Sequence, residues 1–397
     1  MSVIVTNAKN RIAYNIVRSL GQKGLKVYTS DFVPNSMSFA SRYSKGNFLY
    51  PSPFRNQKRF IKCLIQNIRR LEPSVLIPVF EETFLIAKFK DELSKHVKMV
   101  IPDYGQILTA HNKDKWGPIA RKLDIPVPKT YAIEDLRNEK TSLKELHYPV
   151  LIKPKQGGGG WAIAQENSSK ELENRLKDET YLGLPWSRFF IQEKIDGETH
   201  CVAMLFRQGE FRAKVTYKQL RDYPVTCGQA TLRVSLRNKQ AENFFQELLE
   251  QLKWHGVCQA DFVIDRKTNI SHLIDINPRF WGSLAQAIAS GVDFPYLLYK
   301  IAIDGDVAPV PDFKTGIMTR WVAGDMMTFL PLLRTSNNKM KFVKEFLSLS
   351  KSTAFYDDIS FSDPLPFFVW VTDAFIRILK NRSTRPVSHD SLEGIWK

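Results

Sequence analysis

Asp275-Ile276-Asn277-Pro278-Arg279-Phe280, fourteen residues beyond Asp261, is the stretch on which the fold of this chain turns. If residues 273–277 form a strand, Asp275 and Asn277 share one face, because strand side chains alternate with period 2. Asp261 on the preceding strand adds a second carboxylate. Such an all-oxygen donor set suits Mg²⁺, with Mn²⁺ as the alternative, the remaining ligands coming from water and substrate phosphates. Arg279 follows at once as a fixed donor toward phosphate or carboxylate oxygens. By itself the run also reads as an acidic strand end and a turn at Pro278, so the residues upstream decide.

Upstream, Gly157, Gly158, Gly159 and Gly160 follow a strand over residues 150–154 that carries Lys153. Without Cβ atoms such a loop brings backbone N–H groups close to phosphates. It lacks the terminal Gly-Lys-Ser/Thr of a P-loop, and its lysine precedes the glycines. Lys153 lies in an apolar strand where an unpaired charge is costly, so it calls for an anion. Glu193, in the run 191–195 (Ile-Gln-Glu-Lys-Ile), is a second strand charge, suited to reading an adenine edge. Glu198, just after Asp196-Gly197, is suited to ribose hydroxyls.

The first hundred residues alternate apolar strands (2–6, 25–30, 75–79, 99–101) with helices (13–21, 58–71, 83–93), the pattern of βαβ units on a parallel sheet. Their first loop, residues 7–10, lacks G-x-G-x-x-G, so this part reads as a scaffold rather than a dinucleotide site despite Asp31. Next come a helix over 112–123, the strand 150–154 and a helix over 169–176 with Ser168 as its cap. Strand candidates 188–194, 200–207, 211–217, 229–234, 259–264 and 272–277 then form a mainly antiparallel set, with a core helix over 241–252. The expected parts are residues 1–105, 106–185, 186–330 and a tail over 331–397. Within the tail an aromatic helix over 367–379 either docks on the body, which Asp373 favours, or lies on an anionic lipid surface.

Composition narrows the partners. Lys and Arg number 57 against 41 Asp and Glu, a net charge of +16, which favours anionic partners. The charge is spread along the chain with no basic run interleaved with aromatics, which argues against nucleic acid. Cys63, Cys201, Cys227 and Cys258 stand isolated, against a zinc site or disulfide framework. No signal pattern opens the chain and no apolar run approaches the ~18–20 residues of a span, so the expected location is cytoplasmic, with peripheral membrane contact through the tail as an alternative.

In their order these motifs resemble the ATP-grasp superfamily, closest to the carboxylase and ligase branch that includes biotin carboxylase, carbamoyl-phosphate synthase large chain and D-alanine–D-alanine ligase. The resemblance covers roughly residues 1–330. It implies a Rossmann-like pre-ATP-grasp domain followed by a two-part ATP-grasp domain with a mostly antiparallel sheet. It implies that Lys113 (Lys115 is the near alternative) and Lys153 hold nucleotide phosphates and that Gly157–Gly160 form the lid. Gln192, Glu193, Lys194 and Ile195 match the adenine-reading hinge, and Glu198 the ribose acid. Asp261, Asp275 and Asn277 match the magnesium ligands, and Arg279 the arginine that steadies the reacting phosphoryl group. The family usually has Glu where this chain has Asp275, a shorter reach that bears on metal bridging.

The implied reaction activates a carboxylate as an acyl phosphate at the expense of ATP and joins it to an amine. His200, His255 and His272 are candidate bases, with structural roles as the plainer alternative. Residues 216–231 suit a substrate-side loop, and Arg221, Arg233 and Arg320 are candidates for holding an acidic substrate or are solvated surface charges. The rival expectation is a non-catalytic ATP-binding regulatory protein recruited to membranes by its tail. Self-association is left open.

Overall fold

The computed structural model describes residues 1–138, 141–155, 162–224, 228–336, 338–351 and 355–381. Four short strands open the chain: β1 (Ser2–Val5), β2 (Lys26–Asp31), β3 (Ser44–Leu49) and β4 (Val75–Ile77). They pair in parallel in the order β3-β2-β1-β4. Parallel neighbours need crossovers, supplied here by α1 (Arg11–Gln22) between β1 and β2 and by α2 (Gln57–Leu71) between β3 and β4. Period-2 alternation divides the apolar strands between two cores. Ile4 and Leu76 join Phe60, Leu64 and Ile68 of α2, whereas Val3, Val5 and Ile77 join Ile12, Ile16 and Leu20 of α1.

Three details depart from expectation. Residues 99–101 are not a strand; the chain makes only an isolated bridge between Val75 and Lys98. The helix expected over 83–93 is two, α3 (Glu82–Lys88) and α4 (Lys90–Leu93), parted at Phe89. Neither β3, a polar edge strand with only Phe48 buried, nor α5 (Tyr104–His111) was foreseen.

After α6 (Lys113–Lys122) comes a small antiparallel sheet of β5 (Thr130–Ala132), β6 (Val150–Pro154), β7 (Ala164–Glu166) and β10 (Phe189–Glu193), in the order β5-β10-β6-β7. A short ribbon of β8 (Thr180–Tyr181) and β9 (Leu184–Pro185) precedes β10. Helices α7 (Ile133–Arg137) and α8 (Ser169–Leu176) complete it, and Ser168 caps α8 by accepting the Glu171 N–H at 3.3 Å. Val150, Ile152, Phe189 and Ile191 form a separate core with residues of both helices. The opposite face of the same strands carries Lys153 and Gln192.

The third sheet has seven strands: β11 (Gly197–Arg207), β12 (Glu210–Tyr223), β13 (Gln229–Ser235), β14 (Gly256–Asp265), β15 (Ser271–Asn277), β16 (Met318–Arg320) and β17 (Phe355–Tyr356). Their order is β15-β14-β11-β12-β13-β16-β17, antiparallel except at the β16–β17 edge. Helix α9 (Lys239–Gln251) packs Phe245, Leu248 and Leu249 onto Val202, Met204 and Phe206. Helices α10 (Leu284–Ala289) and α11 (Phe294–Asp304) share the other core with Cys201, Ala203 and Leu205. Because both cores run on into the first sheet, the first and third sheets are welded together. The chain is α/β at its start and α+β thereafter, as expected.

The tail is part of the body. It contributes α12 (Val322–Thr335), α13 (Lys339–Lys351), β17 and α14 (Leu365–Asn381). Three buried aspartates tie it down. Asp357 takes the guanidinium of Arg233, Asp358 accepts the N–H groups of Val322 and Ala323 at the start of α12, and Asp363 accepts from Ser41 and from the Arg42 N–H.

Candidate active site

The β14–β15 pairing sets the site. Its register opposes Gln259 to Asn277 and Asp261 to Asp275, so all four side chains share one face of one strand pair. The amide of Asn277 donates to Gln259 Oε1 at 2.8 Å, leaving the Asn277 carbonyl oxygen as an acceptor. Gln259 Nε2 donates to Asp261 Oδ1 at 2.7 Å, and the Cys201 thiol reaches the same oxygen at 2.9 Å. Burial, reinforced by the neighbouring Asp275 carboxylate, pushes Asp261 up to about 6.

Lys113, the first residue of α6, reaches Asp275 Oδ1 at 2.6 Å. Asn112 holds that helix start by accepting the Asp114 N–H at 2.9 Å. Lys115, by contrast, is exposed. These donors fit a hard divalent cation: two carboxylates and an amide oxygen converge, their mutual repulsion answered here by a lysine. Among the described residues no cluster of three or more His, Cys, Asp or Glu side chains is placed to hold a metal. An ion here would therefore rely on the amide and on substrate oxygens.

Arg279, almost fully buried, is pinned from the first sheet. Its Nε and Nη2 donate to Glu81 Oε1 at 3.2 and 3.1 Å, and its guanidinium lies 4.2 Å from the centre of the Phe80 ring. His111, at the end of α5, unites the pieces. Burial holds its imidazole down at about 4, and it feels the charges of Glu81, Lys113, Asp275 and Arg279 together. Lys113, Asp275 of the acidic strand pair and Arg279 with its partner Glu81 therefore all act on one neutral histidine.

On the small sheet, β10 pairs with β6 so that Phe190 opposes Lys153 and Gln192 opposes Leu151. Lys153 is buried and donates to Gln192 Oε1 at 2.7 Å, and Gln192 in turn donates to Thr130 Oγ1 at 3.1 Å. Lys155, two residues on, approaches Asp114 of α6 at 3.9 Å and so links this sheet to the Lys113 helix. Glu193 points the other way. Its Oε1 accepts from the Tyr131 hydroxyl at 2.7 Å and from His147; burial works against its charge, but these hydrogen bonds win and hold its carboxyl low. What Glu193 and its neighbours leave for a base is main chain, with the Lys194 N–H already on the Pro149 carbonyl. The Lys194 side chain bonds Gln165 at 2.7 Å, and Ile195 is half-buried. Glu198 is paired with Lys218 at 2.8 Å, which lowers its carboxyl; alternation along β11 sets it on the α9 face, opposite Cys201 and Asp261. Gly157, Gly158, Gly159 and Gly160 lie outside the described residues, as does Cys227.

Several expected partners are engaged elsewhere. His200, His255 and His272 are all held below their usual range, by burial first, and His255 to about 4. His200 bonds Asn238 at the cap of α9, and His255 accepts the Gln208 N–H. Residues 216–231, expected as a loop, are largely the β12–β13 hairpin. Arg221, Arg233 and Arg320 are not solvated surface charges. Arg221 and Arg320 both grip Asp325, at 2.6 Å each, and the fully buried Arg233 takes Asp357.

Sequence reading passed over His111, Glu81, Gln259 and Asp222. Asp222 in β12 is pushed up to about 7, by burial first and then by the Asp261 charge, and its buried Oδ1 has no hydrogen-bond partner. A signal existed for Glu81: Glu81-Glu82 follows directly on an apolar strand, where paired acids need a reason. Glu82 has a structural one, accepting from Thr6 and Asn7 beneath the first loop. His111, two residues before Lys113, had no signal beyond that closeness.

Comparison with known proteins bears on this arrangement. Residues 110–283 match the ATP-grasp domain family. The large chain of carbamoyl phosphate synthase from Methanobrevibacter smithii is 25% identical over 230 residues, 52% of this chain and 20% of that protein. Its N-terminal section from Methanopyrus kandleri is 24% identical over 223 residues, covering 53% and 39%. The chain thus spans well under half the length of these relatives. Among solved structures, a biotin carboxylase–β-γ-ATP complex from Campylobacter jejuni superposes with a TM-score of 0.65 at 17% identity, covering 80% of this chain and 74% of that one. L-amino acid ligase from Bacillus licheniformis gives 0.58 at 15%, covering 78% and 77%. N5-carboxyaminoimidazole synthetase from Staphylococcus aureus, complexed with ADP, gives 0.61 at 14%, covering 80% of each. At such identities the structural likeness is one of fold.

Proposed function

We propose, from the match of residues 110–283 to the ATP-grasp domain family, that the chain is an ATP-dependent ligase that activates a carboxylate as an acyl phosphate and joins it to an amine. The observation that carries this is the 2.6 Å contact of Lys113 with Asp275, beside Asp261 and Asn277 and within the field of Arg279. A phosphate-binding cation, a hard-metal donor set and a buried arginine in one place suit phosphoryl transfer, where catalysis is mostly positioning and charge stabilisation.

In the first step an oxygen of the substrate carboxylate attacks the γ-phosphorus. The bond from that phosphorus to the β–γ bridging oxygen breaks, and ADP leaves. In the second, the amine lone pair attacks the acyl carbon, the bond to the phosphate oxygen breaks, and the nitrogen gives up a proton. Lys113 and Lys153 hold the phosphates, Lys153 exchanging Gln192 for a phosphate oxygen. Main-chain groups of Gln192, Glu193, Lys194 and Ile195 line the base; Glu198, on the α9 face with Lys218, is turned away from Asp261 and takes no part in holding the ribose. Asp261, Asp275 and Asn277 would hold Mg²⁺, which when bound neutralises phosphate charge. Arg279, held by Glu81, stabilises charge on the group in transit. Gly157–Gly160 are assigned as the cover over the phosphates, residues 106–185 and 186–330 as the two halves of the clasp, and residues 1–105 as their Rossmann-like support.

The test is a screen of ADP release across carboxylate–amine pairs, with products resolved by chromatography. ADP and phosphate in step with the new amide support the proposal. AMP and pyrophosphate, or nucleotide binding with no turnover for any pair, would overturn it.

A further inference from the structure

Helix α14 has an outer face that a surface helix of a water-soluble domain does not present. Its inner side is accounted for: Pro366 is buried, the helix rests on residues Met37–Ala40, and Asp373 turns toward Lys9 at 3.8 Å. The outer side should then be polar. Instead Leu365, Phe368, Val371, Phe375 and Ile376 recur at helical spacing, Phe368 60% and Phe375 61% exposed, and Phe361, one turn's length ahead of them in sequence, is 95% exposed. The only carboxylate of α14 is the inward-turned Asp373.

We infer that this face docks on an anionic lipid surface, α14 lying in the plane of the interface. Charge decides the occupant. Residues 331–397 hold ten Lys and Arg against seven Asp and Glu. Of those seven, Asp357, Asp358 and Asp363 are buried in internal bonds, so the outward balance is more positive than composition alone states. Lys339, Lys341 and Lys344 are exposed along α13 together with Met340 and Leu347. An apolar stripe on a tail of net positive charge supplies the two signals that stable interfacial binding requires, insertion and attraction to anionic headgroups. A second copy of the chain would meet the stripe with the same +16 charge, which opposes such a pairing. No helix among the described residues is long and apolar enough to cross a membrane.

The experiment is co-sedimentation of the full chain with phosphatidylcholine vesicles, with and without phosphatidylglycerol, at low and high salt. The wild type should sediment with the anionic vesicles, and less so as salt rises. Phe368→Glu with Phe375→Glu should cut the bound fraction about tenfold or more, with ADP release and thermal midpoint unchanged. Lys339→Glu with Lys341→Glu leaves the apolar face intact and should remove the preference for anionic vesicles, which keeps the test sharp if the phenylalanine variant folds poorly. Wild-type protein that ignores anionic vesicles overturns the inference. So do variants that bind as the wild type does, or a dimer in solution that the phenylalanine substitutions dissociate.

Discussion

At Asp261, burial and the facing Asp275 both oppose ionisation, and the consequence for stability has a definite sign. The carboxyl titrates near 3.8 in the unfolded chain and at about 6 in the folded one. Between those values folding takes up a proton, so this group's stabilisation is present at low pH and is lost as pH rises toward and past 6. The loss is roughly 1–3 kcal/mol, since the edge of the side chain still meets solvent. Asp261→Asn should flatten that dependence in metal-free protein, leaving the variant more stable than wild type at pH 7 by thermal denaturation, while turnover falls by at least about a hundredfold. A variant with near-normal turnover would remove Asp261 from the site. Glu81 acts one step further out, through Arg279. On the proposed mechanism Glu81→Gln should lower kcat by about tenfold or more while the KM for ATP stays within about twofold, because it loosens the Arg279 that would stabilise charge on the group in transit. Glu81→Asp should recover part of the loss; a uniform rise in KM instead would mean that Glu81 only supports the fold.

Single positions also decide whether elements form. Gly197 opens β11 where a Cβ would stand 2.1 Å from the Ile264 carbonyl oxygen, so Gly197→Ala must push β11 from β14. Asp261 lies in β14, within that same pairing, opposite Cys201. The variant should therefore lose both stability and nucleotide affinity, read by thermal shift with and without MgATP. An unchanged shift on adding nucleotide would detach the β11–β14 pairing from the nucleotide site. The same elements show what was legible in advance. The apolar runs of β1, β4, β6 and β14 and the amphipathic spacing of α2 and α9 are local signals, and they were read close to their ends. The Asp261–Asp275 partnership was legible because alternation along two adjacent strands is local too. The directions of Glu193 and Glu198 were not, since a strand's sequence does not say which of its faces meets the site. Nor was Glu81 on Arg279, a contact across 198 residues that exists only once the first and third sheets share their cores. β3 went unread because an edge strand with one buried residue carries no pattern.

For the whole molecule the tail is the instructive part, because the family match stops short of it and the sequence pattern shows in it only the aromatic helix over 367–379, which is α14. Arg233 is fully buried in the third sheet and its guanidinium is taken by Asp357, which also lies 3.5 Å from Arg11 at the start of α1. Two cations, one on the third sheet and one on the helix that crosses over the first, thus share a carboxylate that arrives only when the tail docks. Burial pulls Arg11 down to about 10 although Asp357 and Asp358 both act to raise it, and its guanidinium also lies over the Trp321 ring at 3.9 Å. Removing the carboxylate leaves two buried like charges facing each other, a change that costs about 3–5 kcal/mol. Asp357→Ala should therefore destabilise the molecule as a unit, with the first and third sheets melting together, while the small sheet, which has a core of its own, keeps its amide protection longer in hydrogen exchange. Arg233→Met in the Asp357→Ala background should return part of the loss, since one orphaned cation then becomes an apolar side chain of similar length. If the double variant is no more stable than Asp357→Ala alone, the carboxylate is not the counter-ion that joins the tail to the sheets, and the tail must hold by its apolar contacts.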